Sequence, residues 1–215
     1  MATNVYIDGF NLFNGAVKGT PYKWLDLEAL CQTMLPSRKF GRIRYFTAKV
    51  LPFAHKPQAP QKQQMYLRAL ATLPLVTVHQ EGYFSSRPSL LPQFPLAHIR
   101  PGKGPQCVQV QRMEEKRTDV DLATHLLVDC FDDNFDEAVV ISNDSDLSLP
   151  IKIVTTKFGK PVTVINPHRS SGMSGQLAKV ASVQIRTINR SVLRSCQLPA
   201  SLNDSVGSIT KPSDW

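Results

Sequence analysis

Short apolar, β-prone runs recur along the chain, and several are cut off by a polar turn. Val139-Val140-Ile141 runs into Ser142-Asn143-Asp144-Ser145-Asp146, and Val5-Tyr6-Ile7 runs into Asp8-Gly9-Phe10-Asn11. Continuous apolar runs of this length bounded by turn residues predict strands buried on both faces. Further strands are predicted over residues 43–50, opened by the alternating Arg42-Ile43-Arg44-Tyr45-Phe46, over 76–80 and over 162–165, with an edge strand at 183–188. Helical spacing predicts segments at 27–34 (capped by Asp26), 61–73, 119–131 and 176–181, and one from Asp146 to Gly159 with Pro150 in its first turn, where proline is tolerated. Such alternation predicts an α/β fold, with right-handed crossovers building a mostly parallel central sheet with helices on both faces. Beyond Asn189 the pattern weakens: 190–196 reads as a last helical turn or two, and 198–215 as a tail.

Two predicted strands end in acid. In open α/β sheets ligands bind beyond the carboxyl ends of the strands, so Asp8 and Asp144 would face one crevice, and a carboxylate pair there suits a divalent cation. The helix from Asp119 adds a third acid. At about 100° per residue Asp119, Ala123, Leu126 and Cys130 share one face, while Asp121 turns away. An acid aligned with a buried stripe costs free energy unless it is paired, and a cation shared with Asp8 and Asp144 would pair it. The alternative is that Asp119, or Thr118 beside it, caps the helix.

Composition narrows the class. The chain has 215 residues, 42% hydrophobic and 20% charged, enough for a substantial core. It has neither an apolar run near the ~18 residues that span a bilayer nor a basic-then-apolar leader, so a cytoplasmic protein without a membrane partner is expected, self-association being left open. The four cysteines lack metal-ligand spacing and read as reduced and structural. Charge is unevenly spread within the net +8: residues 38–117 carry fourteen Lys and Arg against three Glu, whereas 118–149 carry nine Asp and Glu and no Lys or Arg. Cations beside an acidic centre suit a metal-using enzyme acting on a polyanion, with Arg42, Arg44 and Arg68 as phosphate contacts. A merely solvated basic surface is the plainer alternative. The stretch 85–105, with Pro88, Pro92, Pro95, Pro101 and Pro105, reads as a long loop or an extended hairpin arm carrying Arg87, Arg100 and Lys103.

Four segments taken in order, Tyr6-Ile7-Asp8-Gly9-Phe10-Asn11-Leu12, Lys116-Arg117-Thr118-Asp119-Val120-Asp121-Leu122, Val140-Ile141-Ser142-Asn143-Asp144-Ser145-Asp146-Leu147 and Gly159-Lys160-Pro161-Val162-Thr163-Val164, resemble the successive motifs of NYN domains, which are PIN-like ribonucleases. The resemblance spans roughly residues 3–188 and implies a three-layer PIN-like domain over 1–189, with 190–215 as a partly irregular extension. It also implies a metal-dependent ribonuclease whose acids match Asp8, Asp119, Asp144 and Asp146, with Asn11 as a polar companion. Oxygen ligands of this kind suit Mg²⁺ or Mn²⁺, and no His or Cys cluster argues for zinc. Lys116 and Arg117, next to Asp119, are phosphate-binding candidates. The chain departs from the family's usual pattern at Asn143, often Gly, and at His125, often Asp. A phosphatase of the haloacid dehalogenase type would need a second Asp where Phe10 stands. An RNA-binding module on the same fold, without turnover, is the stronger rival.

Overall fold

The computed structural model describes residues 2–52, 56–92, 107–185 and 187–215. Its main sheet has seven strands in the order β4-β3-β2-β1-β5-β6-β7. They are β1 (Thr3–Asp8), β2 (Phe40–Ala48), β3 (Val76–Pro92), β4 (Cys107–Lys116), β5 (Glu137–Ile141), β6 (Val162–Ile165) and β7 (Val183–Ile185). Neighbours are parallel except β3 and β4, which are antiparallel. Every residue of β1 is buried, as expected of a strand covered on both faces.

Alternate side chains of β1 enter two separate cores. Val5 and Ile7 join a cluster with α1 (Gly9–Leu12), α2 (Leu27–Met34) and α3 (Ala59–Leu70). Tyr6 joins the other, with α4 (Thr118–Phe131), α5 (Ser148–Thr156) and α6 (Gly175–Val180). The period of two along a strand therefore sorts the helices to opposite sides of the sheet. Asp26 caps α2 as its sequence suggests, accepting a hydrogen bond from Ala29 N at 2.9 Å.

Several segments differ from the sequence expectation. Helix α3 starts two residues before Gln61 because Pro60 sits in its first turn, where a missing N–H costs nothing, and it stops at Leu70. Of the two readings of the proline-rich stretch, long loop or hairpin arm, the described part takes the second: β3 and β4 pair from Tyr83↔Lys116 to Pro92↔Cys107, and Pro95, Arg100, Pro101, Lys103 and Pro105 lie outside the described residues. Past Gly82 the β3 strand has no β2 partner among the described residues, and Pro88 lies in that stretch. The segment 198–215 is folded. After α7 (Arg190–Ser195), β8 (Ser201–Asp204) and β9 (Gly207–Thr210) form a hairpin, and Leu193, Leu198 and Ile209 are buried in the α2–α3 side of the core.

Arg44 also departs from expectation. Its position in β2, flanked by β1 and β3, directs it beneath α4 and not to solvent. It is 8% exposed and makes a two-pronged bond with Asp129 of α4, Nε to Oδ2 and Nη2 to Oδ1, both at 2.8 Å. Tyr6 Oη donates to the same Oδ2 at 2.8 Å, and Arg44 Nη1 lies 3.2 Å from His79 Nε2. His125 packs on that His79 ring at 4.4 Å between centroids. Arg44 is thus a core residue whose charge is answered inside the protein. Removing one partner leaves the other charge buried and unanswered, so Asp129→Ala should destabilise the fold by about 3–5 kcal/mol, measured by urea unfolding.

Candidate functional site

The sequence splits to either side of β1, with β2 and β3 on one flank and β5 to β7 on the other. The crevice of a doubly wound sheet opens at such a switch point, and Asp8 ends β1 there. Gly9 follows because the backbone of α1 passes close to β2: a Cβ on it would come within 2.7 Å of Phe46 O and the Tyr45 ring. The helix then loosens into a π-helical turn over Phe13–Val17, which carries Asn14.

Asp8 is almost wholly buried and accepts two hydrogen bonds, Oδ1 from Asn11 N at 2.8 Å and Oδ2 from Ser142 Oγ at 3.0 Å. Ser142 Oγ in turn accepts from Asp144 N at 3.1 Å, and Asp144 Oδ1 accepts from Asp146 N at 3.0 Å. One buried hydroxyl thus ties the end of β1 to the turn after β5. Asn11 Oδ1 accepts from Asn143 N at 3.0 Å and lies 2.9 Å from His168 Nε2. The expected polar companion is therefore a strut that holds the β5 turn and the loop after β6 together.

Asp8, Asn11, Asn14, Glu115, Asp119, Asp144 and His168, with Phe10, line one pocket of about 170 Å³. Asp8, Asp119 and Asp144, expected to meet, do so. Asp146 is exposed and is not in the lining, although its charge reaches Asp119. Glu115, Asn14 and His168 join them. None of these three carried a sequence signal, since Glu115 depends on the Phe84↔Glu115 register, which brings the end of the hairpin arm back to the sheet.

Thr118 and Asp119 do not cap α4. The cap position is Arg117, held in the left-handed region at φ 85° with no side-chain cap bond, so the Asp119 carboxyl is left for the pocket. Burial, then the charges of Asp8, Asp144, Glu115 and Asp146, push its pKa up to about 7. Asp8 is pushed up to about 6, chiefly by burial, with the Asn11 and Ser142 hydrogen bonds opposing. Asp121, by contrast, pairs with Arg117 Nε at 3.1 Å.

A divalent cation fits this chemistry. Glu115 Oε1 is buried without a hydrogen-bond partner, and the pocket offers carboxylate and amide oxygens. Among the described residues, no group of three or more His, Cys, Asp and Glu is arranged so as to hold a metal ion.

The cations expected to hold phosphate are mostly elsewhere. Arg42 is level with Asn4 in the sheet register, four residues before Asp8, which at ~3.3 Å per residue puts it ~13 Å from the acids. Arg44 is inside the core. Arg68 forms a two-pronged pair with Asp204 at 2.8 and 2.7 Å. Lys116 and Arg117 adjoin Glu115 and Asp119 in sequence, but neither lines the pocket: Lys116 Nζ pairs with Glu114 and Arg117 Nε with Asp121. Lys116 belongs to a positive cluster on the arm, where Arg87, Arg112 and Lys116 share the single carboxylate of Glu114 at 3.2, 2.7 and 2.8 Å.

A pH dependence follows from the raised carboxyls. Between the ordinary carboxylate value of 3.8 and about 7, folded Asp119 keeps a proton that the unfolded chain has released. The associated stability is full below the ordinary value of 3.8, falls progressively as pH rises above it, and is gone once pH has passed about 6 to 7, where Asp8 and Asp119 have ionised against one another. In chelator the melting temperature should fall between pH 5 and pH 8, and Asp119→Asn should flatten that fall. A wild-type melting temperature that rises over the same range would show that the acids are not crowded.

Comparison with known proteins gives the chain its relatives. It is 30% identical over 238 aligned residues, covering 100% of this chain and 75% of the other, to a Pseudomonas putida (strain DSM 28022 / S16) protein named 6-hydroxy-3-succinoylpyridine 3-monooxygenase HspA. A crystal structure of a Vibrio parahaemolyticus RIMD 2210633 protein of unknown function aligns with a TM-score of 0.49 and 15% identity, covering 88% of this chain and 93% of that one. The NYN domain pattern matches residues 2–188, and with that match across nearly the whole fold the chain belongs to the NYN domain family, within the PIN-like nuclease superfamily.

Proposed function

We propose that the protein is a metal-dependent ribonuclease that hydrolyses phosphodiester bonds at the acidic pocket. The observation that carries this reading is the convergence of Asp8, Asp119, Asp144 and Glu115 on one pocket, with an orphaned Glu115 oxygen and two carboxyls held above their usual range. Asp8, Asp119 and Asp144, with Glu115, would hold Mg²⁺ or Mn²⁺, and Asp146 would act from the rim through water. The ion, when bound, supplies an activated water and answers the charge that develops on the phosphate. The residues of the chain do the rest. Asn11 and Ser142 fix the carboxylates, and the Arg87, Arg112 and Lys116 cluster on the arm meets the RNA backbone. No helix among the described residues is long and apolar enough to cross a membrane, and action on RNA in the cytoplasm is part of the proposal.

Two other readings have an observation behind them. An RNA-binding module without turnover would need the arm cluster but not the acids. The Pseudomonas relative is named a monooxygenase of a hydroxylated pyridine, so ring oxygenation by this chain is the second enzymatic reading. Dioxygen uptake with a hydroxypyridine and a reductant would favour it.

Two outcomes are expected. Wild-type protein should cleave RNA with Mn²⁺, and Asp119→Asn and Asp144→Asn should abolish cleavage while retaining binding in a gel-shift assay. Asp121→Asn should remain active, because that carboxylate is occupied by Arg117. Wild type that binds RNA without cutting it under any divalent ion would leave the binding module standing. In the second, Lys116→Glu should lower the slope of log K against log[salt] by about one unit, as the loss of one phosphate contact requires, while Arg42→Glu should leave it unchanged. A larger effect at Arg42 would move the RNA path to the other end of the sheet.

A further inference from the structure

A larger cleft lies on the other side of Phe10 from the acidic pocket, between α1, its π-helical continuation and α3. It measures about 680 Å³, within the ~300–1,000 Å³ of small-molecule sites. The nuclease reading makes no use of it. Its walls are aromatic: Phe10, Phe13, Tyr45, Tyr66 and Trp215 all line it. Tyr66 meets Tyr45 edge-on at 6.4 Å and Trp215 at 5.9 Å between centroids, and its hydroxyl is already satisfied by Leu25 O at 2.8 Å. These rings therefore present apolar faces and edges without an unmet polar group on Tyr66.

The rim is basic. Lys18, Lys23, Lys56 and Lys62 line the cleft with one acidic side chain, that of Asp214. That carboxylate is taken by Lys62 Nζ, 2.7 Å from both of its oxygens, while Lys23 Nζ donates to Asp214 O at 3.3 Å and stands 5.9 Å over the Trp215 ring. Lys18 and Lys56 are exposed and have no ion-pair partner among the described residues. A cleft with ring-lined walls and surplus positive charge at its mouth is complementary to a flat, negatively charged molecule.

We propose that this cleft is a binding site for a small planar aromatic anion, with the ring held among Phe13, Tyr45, Tyr66 and Trp215 and the negative group met by Lys18 and Lys56. A base of single-stranded RNA is the less suitable occupant. The 214–215 segment is braced across the cleft by Lys62 and Lys23, whereas unspecific RNA sites are open grooves along which successive bases stack.

The test uses 2-naphthoate as probe and its uncharged analogue 2-naphthamide as control, titrated calorimetrically into the intact protein in chelator without RNA, so that it is independent of cleavage. Naphthoate should bind saturably and about tenfold more tightly than naphthamide, corresponding to one favourable charge contact. The chain has two tryptophans, and the Trp215 indole N–H resonance should move on binding. Two variants at exposed positions keep the test independent of folding. Phe13→Ala should weaken both probes, whereas Lys18→Ala with Lys56→Ala should bring naphthoate down to the naphthamide affinity. Absence of saturable binding, equal affinities for the two probes in wild type, or an undisturbed Trp215 resonance would each overturn the proposal. Displacement of naphthoate by a short oligoribonucleotide would assign the cleft to an RNA base instead.

Discussion

The burial of β1 on both faces is the constraint from which the site follows. With Val5 and Ile7 committed to one core and Tyr6 to the other, the strand has no exposed side on which to display chemistry. Its end is the place left, and Asp8 stands there, at the point where the chain turns to opposite flanks of the sheet. The same burial that gives Asp8 its address also removes its water, which is why the largest influence on its ionisation is desolvation. Position and reactivity thus have one cause.

The polar groups around the acids are arranged for geometry as much as for charge. Ser142 has one proton and gives it to Asp8, leaving its oxygen to receive the Asp144 amide, so both neighbours fix the direction of a single hydroxyl. Asn11 performs the equivalent service between the β5 turn and His168. Such struts hold the carboxylates in place without neutralising them. Mutual repulsion is tolerated because the two cores on either side of the sheet supply the stability, as is common where function needs strained electrostatics.

Much of this was legible in the sequence because it rests on local rules. Apolar triplets ending in Asp identified β1 and β5 and the acids beyond them, and helical phase separated Asp119 from Asp121. Interactions between elements distant in sequence were not legible. Nothing near Arg44 reveals that Asp129, on a later helix, will bury it, and its alternating neighbours suggest a solvent-facing row. Arg68 gives no local sign of its pairing either, because its partner, Asp204, lies in a segment with little periodicity. Glu115 reaches the pocket through the register of the hairpin pairing, Phe84 against Glu115, which a proline-rich sequence does not fix. The β8–β9 hairpin was hidden because a single deeply buried residue, Ile209, anchors it.

Asn143 has a wider consequence than its turn position suggests. Its side chain donates to Gly172 O at 3.1 Å and accepts from Ser174 N at 2.7 Å, while its own backbone N–H is held by Asn11. It therefore pins the loop before α6 to the rim of the acidic pocket, through atoms that glycine would lack. Three hydrogen bonds of one residue thus join that loop to the site, and if binding at the acids orders the loop, then by reciprocity holding the loop would raise affinity at the acids by the same factor.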